Sequence, residues 1–468
     1  MARRWRWGLA LANASPPSPV PPMANLSTSP WWADFLRLAL ANVVANLMVP
    51  LAGLVDTAFL GHLAEIHHLG GVALATVVFN VIYWGFGFLR MGTTGLTAQA
   101  LGLGKADEVL RVLLRHGLIA LGLGLLVLVL QVPLRELGFT LLGAQADLKA
   151  AGYAFYNARI WDAPAVLLNL VIIGWCLGRG QGRWVLGLSL VGNASNVVFN
   201  YLFIWRWGWA AAGAGLGTAL SQYVTLLGGL ALVGRCIDLA TLQRLLPQLW
   251  DGPTLRRLLA LNGDILLRTA AIILSFALFT RTSASLGPDL LAANTLLLQV
   301  VTLSAYFIDG LAFATESFAG RYYGRGDVSR LPGVLWLGGG ISLALGLGFA
   351  LAFWGFSQPL FSLLTSHTEV VTTVTRYGGW LVPVLGLGAI AFLLDGFFLG
   401  LTASTLLRNS TLVAALLGFL PLALVAQRLA NPHLLWLALV GLMAGRALIL
   451  TWAVPYWLRP GPDHPPVP

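Results

Sequence analysis

The residues of this sequence that could do chemistry are a few polar side chains set within long apolar runs. Asp56 lies in the run ANLMVPLAGLVDTAFLGH, after Asn46 and Pro50, with no lysine or arginine within a helical turn. An ionised carboxyl group in an apolar environment is costly, so it requires a partner, water or a proton. Burial without a fixed counter-charge favours the protonated form and makes Asp56 a usable proton carrier. The alternative is an interfacial aspartate capped by Thr57 or by water.

A second polar pattern consists of three asparagines at helical spacing. Asn193, Asn196 and Asn200 are separated by three and by four residues, so they share one helix face. Buried amides must be hydrogen-bonded, and packing between helices is one reason for such a stripe. A hydrated cavity that relays a proton or binds a cation through carbonyl oxygens is the other. The pattern alone does not separate these interpretations.

The second half of the chain carries further carboxyl groups within apolar runs. Asp309 and Glu316 lie seven residues apart on one predicted helix face, and Asp395 stands in another apolar run. Three such groups exceed what packing requires, so we treat them as possible coupling sites for a transported ion. Three arginines are available as partners, unless they extend to the lipid headgroups instead: Arg90, Arg408 and Arg446.

One further charged pair and the cysteines have simpler interpretations. Asp264 and Arg268 stand at positions i and i+4, a spacing that favours a structural ion pair within one helix. Cys176 and Cys236 are far from any CxxC spacing, so the sequence predicts neither a disulfide framework nor a zinc site.

The elements that position these residues are membrane-spanning helices. The chain of 468 residues is 57% hydrophobic and 10% charged, with a mean hydropathy of +0.79, which excludes a soluble globular domain. A spanning helix needs roughly 20 apolar residues, whereas transmembrane β-strands are shorter and alternate in polarity. The sequence therefore predicts an all-α integral membrane protein with twelve helices at 35–59, 72–96, 113–132, 154–177, 184–204, 211–233, 265–286, 291–313, 334–356, 380–401, 412–429 and 434–457.

The chain also repeats itself over nearly half its length. Three glycine pairs are each separated by 222 residues: Gly102 and Gly324, Gly174 and Gly396, and Gly178 and Gly400. The pair Trp161 and Pro164 recurs as Trp380 and Pro383. So long a period in an apolar chain is typical of transporters built from duplicated bundles. Six predicted helices fall in each half, so the two repeats are expected to be parallel and pseudo-symmetric.

The distribution of charge predicts the orientation in the membrane. Lysine and arginine concentrate in the tails and in every second loop, among them Lys105, Arg179, Arg244, Arg325 and Arg459. This asymmetry places both termini in the cytoplasm. The formal net charge of +10 therefore reflects membrane orientation, and we expect no nucleic-acid partner.

These signals divide the chain into five parts. Residues 1–30 are proline-rich and predict a disordered cytoplasmic tail, or a start annotated too early if Met23 is the true first residue. Residues 31–235 form an N-lobe of six helices and residues 262–460 a C-lobe of six, followed by a tail at 461–468. Residues 236–261 predict a cytoplasmic amphipathic linker, broken at Pro247.

Several strings resemble the multidrug and toxic compound extrusion (MATE) family, in its DinF-like branch. They are PLAGLVDTAFLGHL, LGGVALATVVFN, FLRMGTTGLTAQALG, LNGDILLR, FIDGLAFATESFAG and LDGFFLGLTASTLLRNS. The resemblance implies two six-helix lobes arranged as a V around a cavity that opens alternately to the two sides. It also implies export of organic cations or other amphipathic compounds in exchange for H⁺ or Na⁺.

The resemblance assigns roles to individual residues. Asp56 matches the carboxylate whose protonation or ion binding drives the N-lobe, while Asn196 and Thr218 match its helix-five and helix-six partners. Asn200 departs from the family's NxxxD pattern, because this chain reads NVVFN. Loss of one carboxylate favours H⁺ over Na⁺, although Na⁺ at Asp56 and Asn196 stays open. No cofactor is implied beyond the coupling ion, and we expect a monomer in a prokaryotic plasma membrane.

Two other classes of function stay open at this stage. A flippase for a lipid-linked sugar shares the duplicated architecture but is expected to hold a pyrophosphate with a cluster of cavity-facing arginines. Arg90 and Arg268 are only two candidates for such a cluster. An intramembrane enzyme is disfavoured because HExxH, GxSxG and paired-aspartate motifs are absent from the predicted helices. A channel would not need carboxyl groups that exchange protons.

Overall fold

The computed structural model describes residues 30–61, 67–143, 146–365 and 367–458. Within these ranges the chain folds into helices without strands, and twelve helices are long and apolar enough to cross a membrane. The predicted all-α class and the predicted number of helices are therefore confirmed. The predicted tail and the alternative start at Met23 lie outside the described residues, as does the C-terminal tail.

The spanning helices are numbered in chain order and group into two lobes. The N-lobe contains α1 (Trp31–Gly61), α2 (His67–Gly102), α3 (Ala106–Val129), α4 (Leu148–Gly178), α5 (Gly182–Arg206) and α6 (Ala210–Gly234). The C-lobe contains α7 (Gly252–Ser285), α8 (Pro288–Gly324), α9 (Val328–Gly355), α10 (Thr368–Gly400), α11 (Ser404–Arg428) and α12 (Pro432–Trp457).

The linker between the lobes is shorter than predicted. A helix at Leu239–Leu245 leads into one 3₁₀ turn at Leu246–Gln248, which contains Pro247, so the predicted break at this proline is confirmed. Helix α7 then begins at Gly252 instead of near residue 265, because Asp251 caps it by accepting a hydrogen bond from the Thr254 amide at 3.3 Å. The second part of the predicted linker therefore belongs to α7.

The interruptions of the helices recur in both lobes. Helices α4 and α10 each contain a 3₁₀ turn, at Ile160–Asp162 and at Gly378–Trp380. Helices α5 and α11 each contain a π-helical turn, at Tyr201–Arg206 and at Ala414–Phe419. The 3₁₀ turns lie at equivalent places of α4 and α10, whereas the π-helical turn ends α5 and lies in the middle of α11. The shared 3₁₀ turn indicates that the lobes share one architecture.

The repeated glycines make equivalent contacts in the two lobes. Gly174 of α4 packs against the backbone of α2, where a Cβ atom would lie 2.5 Å from the carbonyl oxygen of Arg90. Gly396 of α10 packs in the same way against the carbonyl of Ala312 on α8. Arg90 and Ala312 are themselves 222 residues apart. Small residues at these points allow the backbones of neighbouring helices to approach closely.

The lobes meet at one end of the bundle, which we call the closed end. There Gly102 of α2 packs on the carbonyl of Arg321, and reciprocally Gly324 of α8 packs on the carbonyl of Gln99. The Gln99 side chain donates a 2.8 Å hydrogen bond to the carbonyl of Gly400. These contacts relate the lobes as a two-fold axis would.

Within the described residues, the hydrogen bonds and ring contacts between α1 and α8 end partway along α1, and we call the far end of the bundle the open end. Along α1 and α8, contact continues from the rings of Phe35 and Phe318 to the hydrogen bond that Asn46 donates to the carbonyl of Tyr306 at 3.2 Å. Beyond it, α1 exposes Val49 and Leu54, each 63% accessible. The last turns of α1, which carry Asp56, lie at this open end.

Candidate functional site

The structure brings the four predicted N-lobe residues into one hydrogen-bonded chain. Asn200 donates from its amide nitrogen both to the carboxylate of Asp56 and, at 3.2 Å, to Oδ1 of Asn196. The amide of Asn196 donates to the hydroxyl of Thr218 at 3.2 Å, which donates to the carbonyl of Ala214 at 3.0 Å. We refer to Asp56, Asn196, Asn200 and Thr218 as the N-lobe site. It connects α1, α5 and α6.

Local helix geometry positions the members of this site. Asn196 and Asn200 are one turn apart on α5, and Asn200 is the last residue before the π-helical turn. Gly217 on α6 makes room for its amide, because a Cβ atom there would lie 2.6 Å from Oδ1 of Asn200. Asn193 does not join the site and donates to the carbonyl of Ser189 in its own helix at 2.8 Å.

Sequence reasoning missed an ion pair beside the N-lobe site. Arg159 donates to the carboxylate of Asp162 at 3.3 Å, and the hydroxyl of Tyr83 donates to the same carboxylate. Asp162 is fully buried, and the Arg159 guanidinium lies 4.5 Å from the centre of the Phe79 ring. Its positive charge also acts on Asp56. Asp56 is thus near a cation from another helix. The sequence signal for the missed ion pair was the string RIWD at 159–162, which contains both Arg159 and Asp162.

In the C-lobe, a single carboxylate holds two arginines. Arg268 of α7 and Arg446 of α12 both donate to Oδ2 of Asp395 on α10. Arg446 and Asp395 are buried, at 0% and 3% accessibility. Because the pairing joins three different helices, it is an interhelical clamp.

The predicted ion pair between Asp264 and Arg268 is wrong. Asp264 instead pairs with Arg408 of α11 at 2.5 Å and accepts hydrogen bonds from Ser404 and Thr405 at 2.9 and 2.8 Å. An i to i+4 pair stabilises a helix by only about 0.2–0.5 kcal/mol. Arg268 gains the buried carboxylate of Asp395, and Asp264 gains Arg408 with two hydroxyl donors, so the interhelical pairs form instead.

The other predicted C-lobe carboxyl groups lie next to this clamp. Glu316 is fully buried, and within the described part of the chain neither of its carboxylate oxygens has a hydrogen-bond partner. Asp309, on the same helix, is half-buried. Both line a cavity of about 30 Å³ together with Arg268, Phe313 and Asp395. A cavity of this size has room for about one water molecule.

Groups of three or more histidine, cysteine or acidic side chains arranged for a metal ion do not occur in the described residues. At the N-lobe site, the donor amide of Asn200 already occupies oxygen atoms of both Asp56 and Asn196. A bound Na⁺ would therefore have to share these oxygens with the amide or use the remaining lone pairs of the Asp56 carboxylate.

Comparisons with known proteins agree with the duplicated fold. A family model described as MatE matches the chain twice, over residues 42–202 and 265–424, which confirms the prediction of two repeated halves. The chain is 38% identical over 415 residues to DNA damage-inducible protein F of Escherichia coli, covering 88% of this chain and 90% of that protein. It is 21% identical over 343 residues to the probable multidrug resistance protein NorM of Thermotoga maritima, covering 72% and 73%.

Solved structures show the same fold at lower sequence identity. A MOP superfamily transporter from Pyrococcus furiosus superposes with a TM-score of 0.79 at 19% identity, over 91% of this chain and 94% of that chain. The MATE transporter VcmN of Vibrio cholerae in its bent form gives 0.78 at 20% identity, over 91% and 95%. Both family-model matches and the identity to the Escherichia coli protein establish that this chain belongs to the MatE family, as a multi-pass membrane transporter rather than an enzyme.

Proposed function

We propose that the protein is a secondary antiporter that exports amphipathic or cationic compounds in exchange for protons. The observation that carries this proposal is Asp56, half-buried near the open end and bonded to Asn200. A carboxyl group in this setting exchanges a proton with water, and its hydrogen bond to the amide changes when it does so. The relatives named as multidrug resistance proteins support the substrate class.

The proton is favoured over Na⁺ by the chemistry of Asn200. Where a second carboxylate would supply acceptor oxygens for a metal ion, Asn200 presents a donor to Asp56. A proton on Asp56 needs no further ligands, whereas Na⁺ needs several oxygen atoms around it. Thr218 and Asn196 then serve to hold the Asn200 amide in position.

The close glycine contacts between the lobes at the closed end support alternating access, in which that end opens and closes. The excess of arginine near the closed end supports a cytoplasmic location for that end and for both termini. In this orientation the structure is open to the outside, and Asp56 receives its proton from there. Protonation removes a charge from the N-lobe site and lets α1 repack, which expels a bound compound. Release of the proton inward resets the site.

The driving force is sufficient for concentrative export. One proton that crosses a potential of about 100 mV contributes ~2.3 kcal/mol. This free energy corresponds to an accumulation of tens-fold before any pH gradient is added. A lipid-linked sugar flippase is not favoured, because Asp395 already engages Arg268, one of the two arginines, with Arg90, that were available for a pyrophosphate.

The experiment uses the full-length protein in liposomes with an imposed pH gradient. Ethidium movement and internal pH are followed together, in buffers with and without Na⁺. We expect dye and proton fluxes of opposite direction that persist without Na⁺. A rate of dye movement that does not depend on the pH gradient would overturn the proton mechanism. A strict requirement for Na⁺ would show that Na⁺, instead of H⁺, is the coupling ion.

A further inference from the structure

The charged residues around Glu316 do not all belong to one lobe. Five come from the C-lobe helices α7, α8, α10 and α12, whereas Arg90 comes from α2 of the N-lobe. We refer to the six together as the inter-lobe cluster: Arg90, Arg268, Asp309, Glu316, Asp395 and Arg446. Helix α9 adds no charged side chain along residues 331–355. The C-lobe alone therefore supplies three carboxylates and two guanidinium groups.

Pairing within the cluster leaves two carboxylates and one arginine outside the ion pairs of the described residues. Asp395 engages both Arg268 and Arg446. The charges of Glu316 and Asp309 act first on the unpaired Arg90, while Arg268, which Asp395 already engages, acts on them less strongly. Glu316 is fully buried without a hydrogen bond to either oxygen, and Nη1 of Arg90 is likewise buried without a partner.

The position of Arg90 shows what kind of group fits here. Its guanidinium lies over the Phe313 ring, 3.7 Å from the ring centre. Asp309, Phe313 and Glu316 occupy positions i, i+4 and i+7 of α8, so the ring lies between the two carboxyl groups on one helix face. An aromatic face flanked by carboxylates is a favourable environment for a cation.

Arg90 is attached to the lobe that moves relative to this face. Its backbone packs on Gly174 of α4, so its position is fixed within the N-lobe. The Arg90 side chain reaches Phe313 because α2 and α8 are in contact near the closed end. Separation of the lobes at that end would carry Arg90 away from Phe313 and leave Glu316 with only Arg268, which is already paired with Asp395, as a nearby cation.

We propose that Glu316, Asp309 and the Phe313 ring form a binding site for an organic cation, which Arg90 occupies in this structure and vacates when the closed end opens. Arg90 is then a tethered competitor of the transported compound. As the closed end forms again, Arg90 returns to the ring and displaces the bound cation toward the open end. This inference rests on the proposed alternating access but does not depend on which ion drives it.

The test measures binding of tetraphenylphosphonium to the full-length protein in lipid nanodiscs, without any ion gradient. Arg90→Met removes the competitor and keeps an unbranched side chain. We expect this variant to bind the cation about tenfold more tightly, a change of about 1.4 kcal/mol. Triphenylphosphine oxide, an uncharged probe of similar shape, should bind both proteins equally. Arg428→Met, at an exposed position, is the matched control and should leave both affinities unchanged.

A second variant tests the carboxylate directly. Glu316→Gln in the Arg90→Met background should remove the gain in affinity for tetraphenylphosphonium, and Arg90→Lys should retain most of the competition. Unchanged affinity in Arg90→Met, or an equal change for the charged and uncharged probes, would overturn the proposal. Loss of proton coupling in the liposome experiment with these binding results intact would instead refute only the antiport mechanism.

Discussion

The N-lobe site and the inter-lobe cluster lie in different parts of the molecule and differ in chemistry. The N-lobe site lies toward the open end and consists of one half-buried carboxylate with amide and hydroxyl partners. The inter-lobe cluster lies toward the closed end and consists of six charged groups. The positions that are 222 residues before Asp309, Glu316 and Asp395 hold Gly87, Thr94 and Ile173. The repeated backbone therefore carries polar chemistry that is not repeated.

This difference suggests a division of labour. The hydrogen-bond partner of Asp56 is a neutral amide, so this carboxylate can gain or lose a proton without breaking an ion pair. In the inter-lobe cluster, by contrast, Asp395 is already paired with Arg268 and Arg446 across three helices, which makes this clamp a structural connection. We therefore expect substitutions in the N-lobe site to change transport and substitutions in the Asp395 clamp to change stability.

The largest effect is expected for Asp56→Asn. Asparagine keeps the size of the side chain but cannot ionise, so gradient-driven efflux should fall by about a hundredfold or more. Folding should survive, since the substitution removes a charge whose burial is unfavourable. Dye efflux and thermal unfolding of the same preparation check both halves of the prediction. Efflux at the wild-type rate with unchanged pH dependence would move the proton site out of the N-lobe.

The next effect tests the clamp in the C-lobe. Asp395→Ala leaves Arg268 and Arg446 buried without their shared carboxylate, so the free energy of unfolding should fall by about 3–5 kcal/mol. The midpoint of thermal unfolding in detergent measures this loss, with Asp56→Asn as the matched control. If both variants unfolded at the wild-type temperature, the clamp would have no structural role.

A smaller effect is expected from restoring a second carboxylate to the N-lobe. Asn200→Asp places an acceptor where the structure has a donor to Asp56, so Na⁺ should now raise the unfolding temperature and change the efflux rate severalfold. The wild-type protein should respond equally to NaCl and KCl. A wild-type protein that already responds to Na⁺ selectively would contradict the proton preference.

The smallest effect is expected outside both sites. Glu136 lies on the surface helix Gln131–Leu141, where hydrogen bonds from Tyr153 and Arg135 lower its pKa from its ordinary value of 4.5. A depressed carboxyl pKa adds stability that is present above 4.5 and is lost as the pH falls through the folded-state pKa. Glu136→Gln should therefore slightly flatten the acid side of the stability profile and leave efflux unchanged. Altered transport would show that this surface takes part in the cycle.

The sequence was sufficient for the scaffold and for one of the two sites. Hydropathy gave the number of helices, and the glycine pairs at 222-residue spacing gave the repeat, because both depend on local composition. Asp56, Asn196, Asn200 and Thr218 were found because the motif resemblance linked residues on three helices. The start of α7 at Gly252 was missed because its first turns carry Arg256 and Arg257, which lower its hydropathy.

Partner choice between helices could not be predicted from spacing. Asp264 and Arg268 have the spacing of an intrahelical pair, yet each binds a residue more than 120 positions away in sequence. Likewise, Arg159 lies near Asp56 only because α4 packs beside α6. At this contact, Gly215 of α6 lies against the backbone of Arg159. Such pairings depend on how neighbouring helices are rotated about their axes and shifted along them. The periodicity of a single sequence carries no information about these two quantities.

The reciprocal packing of Gly102 and Gly324 has a consequence for the origin of the chain. A contact in which each half presents the same patch to the other is an isologous contact, as in a homodimer with two-fold symmetry. A six-helix ancestor with one such glycine would have carried a complete self-complementary interface, so two copies could assemble before their genes fused. The helix at Leu239–Leu245 would then be part of the segment that joined the two copies in one chain. After this fusion, the polar residues of the two halves could diverge independently.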